Sequence, residues 1–349
     1  MKIHLISNMY PSDTAPNYGV FVKNTEEILR NAGFSVDKTV LYKETNKILK
    51  LLKYVCYYIK ILLKGLTKKY DVTYVHYAAH NAPPLLFLKK LKRDIVIYTN
   101  VHGSDVVPEV PSQEKYQTVV NNLLHASDMI ITPSQYYKNL VKEKYRVTTP
   151  ISVFPSGGVN KAIFYEAEDR KAAFNELNID DSFNYIGYVS RLDVGKGWDI
   201  FLQSLKILRD EGFLERNNLK AIFVGSGKDD EKFKRLTAEY QLDNYIVHFP
   251  LLPQKQLNAI YNVCDVFCFP TTRKGESLGL VGLEAMACGT PVIGSRIGGL
   301  LDYMDEGKNG FLFEPGSSSE LAEKIKQYFA LTDRKSTRLN SSHHQVSRM

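Results

Sequence analysis

Residues 264–295, CDVFCFPTTRKGESLGLVGLEAMACGTPVIGS, read as a strand, a loop, a helix and a second strand. CDVFCFP and PVIGS are apolar along their length instead of alternating apolar and polar residues. That pattern belongs to strands buried on both faces, as in a parallel sheet covered by helices. The helical segment GLVGLEAMAC sets one carboxylate, Glu284, among Leu, Val, Ala and Met. Left unpaired there, it costs several kcal/mol or changes its pKa, so it needs hydrogen-bond donors. A polyol supplies them, which points to a sugar or a ribose. Glu276, with seven residues between it and Glu284, lies in the preceding loop and is freer to reach a substrate.

Working outward, the same alternation runs through the chain. KIHLISNM, DVTYVHYA, DIVIYTNVHG, DMIITPS and ISVFPSG read as strands of a first series, separated by helical segments such as VFVKNTEEILRNAG. NYIGYVSR, AIFVGSG, YIVHFPL, CDVFCFP, PVIGS and NGFLFEP form a second, with helices between them, among them WDIFLQSLKILRDEG and SSELAEKIKQYFAL. Two series of about 150 residues each predict an α/β protein of two doubly wound, Rossmann-like domains. The boundary falls in SGGVNKAIFYEAEDR, giving domains 1–160 and 161–332. Ligands of such folds sit at the carboxyl ends of strands, so a cleft between two facing domains is the expected site.

The formal net charge of +7 is uneven. Residues 333–349, DRKSTRLNSSHHQVSRM, contribute four Arg/Lys against one Asp and lack apolar periodicity. They follow a helix expected to stop at Leu331, and they read as a disordered or non-native tail behind which the native end of the chain is missing. Residues 43–69 hold eight Lys against Glu44 alone. In ILKLLKYVCYYIKILLKGLTKK, Lys50, Lys53, Lys60 and Lys64 fall on one helical stripe. Two expectations follow. One is an interfacial helix drawn to anionic lipid, at about 1 kcal/mol per basic residue. The other is an ordinary helix packed on the sheet with a solvated lysine face. Cys56, Cys264, Cys268 and Cys288 show no zinc spacing and read as buried free thiols of a reducing compartment, with Cys264 and Cys268 on one strand face. MKIHLISNMYPS lacks the apolar stretch of a signal peptide, and no run of uncharged apolar residues suits a membrane span. The expected place is cytoplasmic, with residues 43–69 able to meet the inner membrane face, and no nucleic-acid partner is expected.

Four strand-end loops carry candidate chemistry. In NMYPSDTAPNYGVFVKN, Gly19 precedes a helix and permits close backbone approach to a ligand, or simply makes a turn. VHGSD offers His102 to a substrate hydroxyl, unless Asp105 merely holds that His as a local cap. SRLDVGKGWD brings Arg191 and Lys196 to a helix start, as a diphosphate requires, though a loop with two solvated cations has the same composition. It lacks the GxxxxGK[ST] pattern of a Walker loop. The fourth is the loop 271–280, in which SLGL begins a helix whose amides can also meet phosphate.

Taken together, YPS…YGVFVK, HGSD, PSGGV, RLDVGKG and E-x7-E followed by AMACGTPVIGS and NGFLFEPG resemble the family four retaining glycosyltransferases, up to about Leu331. The resemblance implies the GT-B fold and roles for matching positions. Gly19 would approach the donor diphosphate, and Arg191 and Lys196 would bind it. His102 would contact a hydroxyl of the transferred sugar, and Glu276 would lie beside that sugar; these two stand nearest the reacting centre. Glu284 would hold the ribose, backbone groups of Leu278, Gly279 and Leu280 would meet sugar and phosphate, and Leu251 and Leu252 would lie near the base. Ser277-Leu278, where the family often has Gly-Phe, and LLDYM after Gly298-Gly299 leave donor identity open. No Asp-x-Asp motif is present, and neither metal nor cofactor is expected.

The implied reaction is transfer of a sugar from a nucleotide-sugar, such as a UDP- or GDP-sugar, to a glycan or lipid-linked acceptor in surface polysaccharide biosynthesis. A nucleotide-sugar epimerase and a non-catalytic nucleotide-sugar-binding module are the alternatives.

Overall fold

The computed structural model describes residues 1–16, 18–155 and 158–334. The expected tail from residue 335 onward, and Ser156 and Gly157 of PSGGV, lie outside the described residues. The chain divides between residues 157 and 158 into two compact units.

The first unit runs β1 (Lys2–Tyr10), α1 (Val20–Asn31), β2 (Ser35–Tyr42), α2 (Lys47–Thr67), β3 (Val72–His76), α3 (Ala78–Leu91), β4 (Ile97–Asn100), α4 (Pro111–Glu114), α5 (Gln117–Ala126), β5 (Met129–Thr132), α6 (Gln135–Tyr145) and β6 (Ile151–Val153). Its strands form one parallel sheet in the order β2-β1-β3-β4-β5-β6. Helices α2, α3, α5 and α6 pack on one face, and α1 covers Ile3, Leu5, Val72 and Tyr74 on the other.

The second unit runs α7 (Arg170–Leu177), β7 (Asn184–Val189), α8 (Trp198–Asp210), α9 (Phe213–Arg216), β8 (Leu219–Val224), α10 (Asp230–Glu239), β9 (Ile246–Phe249), α11 (Gln254–Val263), β10 (Val266–Phe269), α12 (Leu280–Ala287), β11 (Val292–Ser295), β12 (Gly310–Phe313) and α13 (Ser318–Arg334). Its sheet is also parallel, in the order β12-β11-β10-β7-β8-β9. Alternate residues of each strand serve opposite faces. Tyr188, Phe223 and Val266 meet α8, α10 and α13, whereas Tyr185, Ile222 and Phe267 meet α7, α11 and α12. The apolar strands of both units, buried on two sides, are the reason for the absence of alternation in their sequences.

Four features differ from the sequence expectations. Residues 35–42, SVDKTVLY, form the edge strand β2, which polar Asp37, Lys38 and Thr39 had disguised. Helix α13 continues past Leu331 to Arg334. Cys264 and Cys268 pack on opposite faces of the sheet, because Cys264 ends α11 and lies outside β10. Cys56 is exposed, so not all four thiols are buried.

In each sheet the chain winds in two directions from an inner point. In the second unit that point lies between β10 and β7, where doubly wound sheets bind ligands. The loops after these strands meet there. Gly197, with φ 78°, lies against Pro270, and a Cβ at this position would stand 1.8 Å from the Pro270 carbonyl oxygen. The Thr272 amide also donates to the Gly195 carbonyl at 3.0 Å. Gly197→Ala should cost on the order of 3 kcal/mol, combining a clash with an unfavourable φ. A fall in melting temperature of roughly 6–12 °C is expected for a domain of this size. An unchanged melting curve would mean that the two loops separate without cost.

Candidate functional site

The loop after β7 places its two cations differently. Lys196 points inward, and its Nζ donates to Glu276 Oε2 at 3.1 Å; both side chains are about 15% exposed. Thr271 Oγ1 shares the same carboxylate oxygen at 3.4 Å. Arg191 points outward, 66% exposed, and pairs with Asp193. An exposed pair of that kind is worth little, which leaves the guanidinium available to a ligand. The picture of two solvated cations therefore holds for Arg191 and fails for Lys196. Glu276 is not a loose surface residue either, since its amide donates to the Arg273 carbonyl and its carbonyl accepts from Gly299.

Beyond Glu276 the chain enters α12 through Gly279, which has left-handed φ, so Leu278 and Gly279 precede the helix and Leu280 opens it. Among the described residues the amides of Leu278, Gly279 and Leu280 donate no hydrogen bond. These are the orphan donors of a helix start, with the positive end of its dipole behind them.

Glu284 sits about 6 Å along the helix axis from Leu280. The one hydrogen-bond partner of its carboxylate among the described residues is neutral: Tyr261 Oη donates to Oε2 at 3.0 Å. Burial pushes its carboxyl up to about 7, against the Tyr261 bond, which pulls it down. Cys288, one turn further on, lies close enough for the Glu284 charge to raise its thiol as well, behind the larger effect of burial. Leu251 and Leu252 follow edge strand β9; Leu251 is 76% exposed, and Leu252 packs on the core that holds Leu278 and Leu283.

In the first unit the inner point lies between β1 and β3, and there the structure gathers Gly19 and His102. Gly19 caps α1 with φ 77°, and a Cβ would lie 2.7 Å from the Met9 carbonyl carbon. Phe21, two residues on, packs its ring 4.5 Å from that of His102. His102 is buried, and its Nε2 lies 2.8 Å from His76 Nδ1. Burial pushes His102 down to about 3 and His76 in the same direction, so the pair is neutral and shares a single proton between the facing nitrogens. Asp105 does not hold the His102 ring. Its carboxylate accepts the backbone amides of Ala78, His102 and Gly103 at 2.9–3.1 Å. A cavity of about 400 Å³ opens beside this cluster, with Asn8, Tyr18, Tyr77, His80 and Tyr116 in its wall.

Three partners escaped the sequence reading: Thr271, Tyr261 and His76. Tyr261 and Thr271 leave no spacing signal. His76 did, because it ends β3 much as His102 follows β4, and β3 and β4 are paired neighbours. Among the described residues no group of three or more His, Cys, Asp or Glu is placed to hold a metal ion.

Residues 169–343 match the family described as glycosyl transferases group 1, and residues 10–157 match glycosyltransferase family 4. The chain belongs to the group 1 glycosyl transferases. It is 30% identical over 217 residues to a D-inositol 3-phosphate glycosyltransferase of Corynebacterium jeikeium (strain K411), a stretch covering 60% of this chain and 50% of that protein. This chain thus spans about half the length of that curated relative. Among solved structures, sucrose-phosphate synthase of Thermosynechococcus elongatus matches with a TM-score of 0.80 at 20% identity, over 100% of this chain and 94% of that one. Anabaena HepE in complex with UDP-glucose matches with a TM-score of 0.73 at 20% identity, over 100% and 95%. These likenesses identify the two Rossmann-like units as the GT-B fold.

The raised Glu284 carboxyl has a consequence for stability. In the folded chain it keeps its proton up to about pH 7, whereas a free side chain loses it near 4.5. The folded state holds the extra proton between those values, so stability falls as pH rises through that window. Glu284→Gln should therefore melt higher than the parent at pH 8, with the difference shrinking towards pH 5. Equal shifts at both pH values in thermal melts would contradict a desolvated carboxyl.

Proposed function

We propose that the chain is a retaining glycosyltransferase that moves a sugar from a nucleotide-sugar to a glycan or lipid-linked acceptor in the building of surface polysaccharide. The observation that carries this proposal is the Lys196–Glu276 pair at the inner point of the second sheet, beside three unpaired amides and a carboxylate that lacks charged partners. A nucleoside diphosphate-sugar answers each group. Its diphosphate takes Lys196, Arg191 and the amides of Leu278, Gly279 and Leu280. Its ribose hydroxyls donate to Glu284, and the sugar hydroxyls donate to Glu276 once Lys196 turns to phosphate. HepE, solved with UDP-glucose, supports a UDP-sugar as the first donor to try. Gly19 and His102 are assigned to the diphosphate and the sugar by resemblance, and Leu251 and Leu252 to the base.

Breaking the bond between sugar and diphosphate builds negative charge on phosphate and positive charge on the anomeric carbon. Fixed cations and amides favour that separation without reorganising, and they supply the charge of a divalent ion, so metal independence is part of the proposal. Retention follows if the acceptor hydroxyl attacks from the face that the diphosphate leaves, its proton passing to the departing phosphate oxygen. The basic stretch 43–69 supports, as part of the proposal, a peripheral position at the cytoplasmic face of a membrane.

Turnover tests the assignment, read as UDP release from UDP-glucose with and without a membrane lipid extract as acceptor source. Lys196→Ala and Glu276→Ala should each lower kcat/KM by about 10²–10³, and Arg191→Ala by less. Unchanged rates in Lys196→Ala and Glu276→Ala would sink the site. Product formed from donor alone, with the sugar epimerised, would move the protein to another enzyme class.

A further inference from the structure

Helix α2 is built inside out. Its side towards the sheet carries Tyr57, Ile61 and Gly65, all buried, while Ile48, Leu52, Val55, Ile59, Leu63 and Leu66 are all exposed. Those six recur at intervals of three and four residues, so they form one straight apolar stripe about 27 Å long. No charged side chain interrupts it. Ile48 is 75% exposed and Leu63 57%, values ordinary for a surface lysine and not for a leucine or isoleucine.

Lys47 and Lys60 flank the stripe, Lys50 lies on the far side of the helix, and pairing divides the lysines further. Lys64 and Lys68 bind Asp37 at 2.7 and 2.9 Å, and Lys53 binds Glu44 at 2.6 Å. These three pin the helix to the unit. Lys47, Lys50, Lys60 and Lys69 have no ion pair among the described residues, and residues 45–70 contain no Asp or Glu. The helix packs on the sheet and its lysines are solvated, as an ordinary amphipathic helix would have them, but solvent meets the apolar stripe as well. Solvent meets hydrocarbon edged with free positive charge. Among the described residues no helix is long and apolar enough to cross a membrane.

We propose that α2 docks the protein on an anionic lipid surface, lying in the plane of the interface with its apolar stripe among the acyl chains and the flanking Lys47 and Lys60 at the headgroups. A straight stripe without polar breaks suits a fluid apolar layer, and the flanking lysines require negative charge on it. A second copy of the chain would set lysines against lysines. Lys50 and Tyr54, on the far side of the same helix, line the cavity beside His102, one helix diameter or about 10 Å from the docking stripe. That places the cavity within reach of a headgroup carried on the surface. This last step rests on the transfer function proposed above; the docking itself does not.

Flotation of the purified chain with lipid vesicles, without nucleotide, tests the docking. The parent should float with vesicles containing phosphatidylglycerol at least about tenfold better than with phosphatidylcholine alone, and salt should weaken the difference. A triple variant, Leu52→Ser, Ile59→Ser and Leu63→Ser, should lose flotation about tenfold or more. Its melting temperature and its turnover of UDP-glucose should match the parent, because these side chains touch neither core nor site. Parent chain that stays unbound, or a triple variant that floats equally well, overturns the proposal. So does a parent dimer in sedimentation velocity that the triple variant dissolves, since the stripe then covers a second copy. Flotation without sugar transfer would defeat the transferase assignment alone, and transfer without flotation would defeat the docking alone.

Discussion

The Pro270 carbonyl stands where a side chain at position 197 would have to be. Everything in the second unit's site depends on that contact. It closes the loops after β7 and β10 upon each other, at the one place in the sheet where the chain winds away in both directions. Lys196 leaves one loop and Glu276 leaves the other, eighty residues apart in sequence, and the contact sets them within one hydrogen bond. Gly299 continues the same packing by donating to the Glu276 carbonyl, which fixes the backbone from which the carboxylate is presented.

The two glutamates differ in what satisfies them, and the proposed function gives them different work. Glu276 has a cation at 3.1 Å, so in the empty protein its charge is matched. On the proposed function, an incoming phosphate would compete for that cation and release the carboxylate to sugar hydroxyls. Glu284 has a tyrosine hydroxyl at 3.0 Å and, among the described residues, no paired cation, and burial holds its proton on to about pH 7. Neutral donors relieve it: two vicinal hydroxyls supply hydrogen bonds without importing charge. On the proposed function, Glu284 is suited to a ribose and Glu276 to the neighbourhood of the reacting bond.

Much of this was legible in the chain. Unbroken apolar segments such as CDVFCFP and PVIGS disclosed parallel sheets, since only strands covered on both sides can omit polar residues. Glu284 was legible for the same reason, as a charge inside an apolar helix. What escaped was of two kinds. Strand β2 carries Asp37, Lys38 and Thr39 because an edge strand needs fewer apolar residues, and periodicity cannot see it. Partners set by packing, Tyr261 of α11 for Glu284 of the neighbouring α12 and Thr271 for Glu276 within one loop, leave no trace in spacing. The His76–His102 pair lies between the two kinds. Each histidine stands at or just after the end of a strand, but only the adjacency of β3 and β4 makes them a pair.

Helix α2 shows what a lysine count leaves out. Periodicity put the lysines on one stripe, and a stripe of lysines ordinarily faces water. Here polar partners decide the rotation of the helix instead. Tyr57 donates to Asn81 at 2.7 Å, Tyr58 donates to the His80 carbonyl at 2.6 Å, and Lys64 reaches Asp37. Turning the helix to bury its leucines would strand all three, each a buried or half-buried polar group whose loss costs about 1–3 kcal/mol. The orientation is thus over-determined from the inside, and the exposed aliphatic stripe is its consequence. Leaving apolar area in water costs roughly 25 cal/mol for each Å². That cost is borne by the isolated chain and recovered only when an apolar layer covers the stripe.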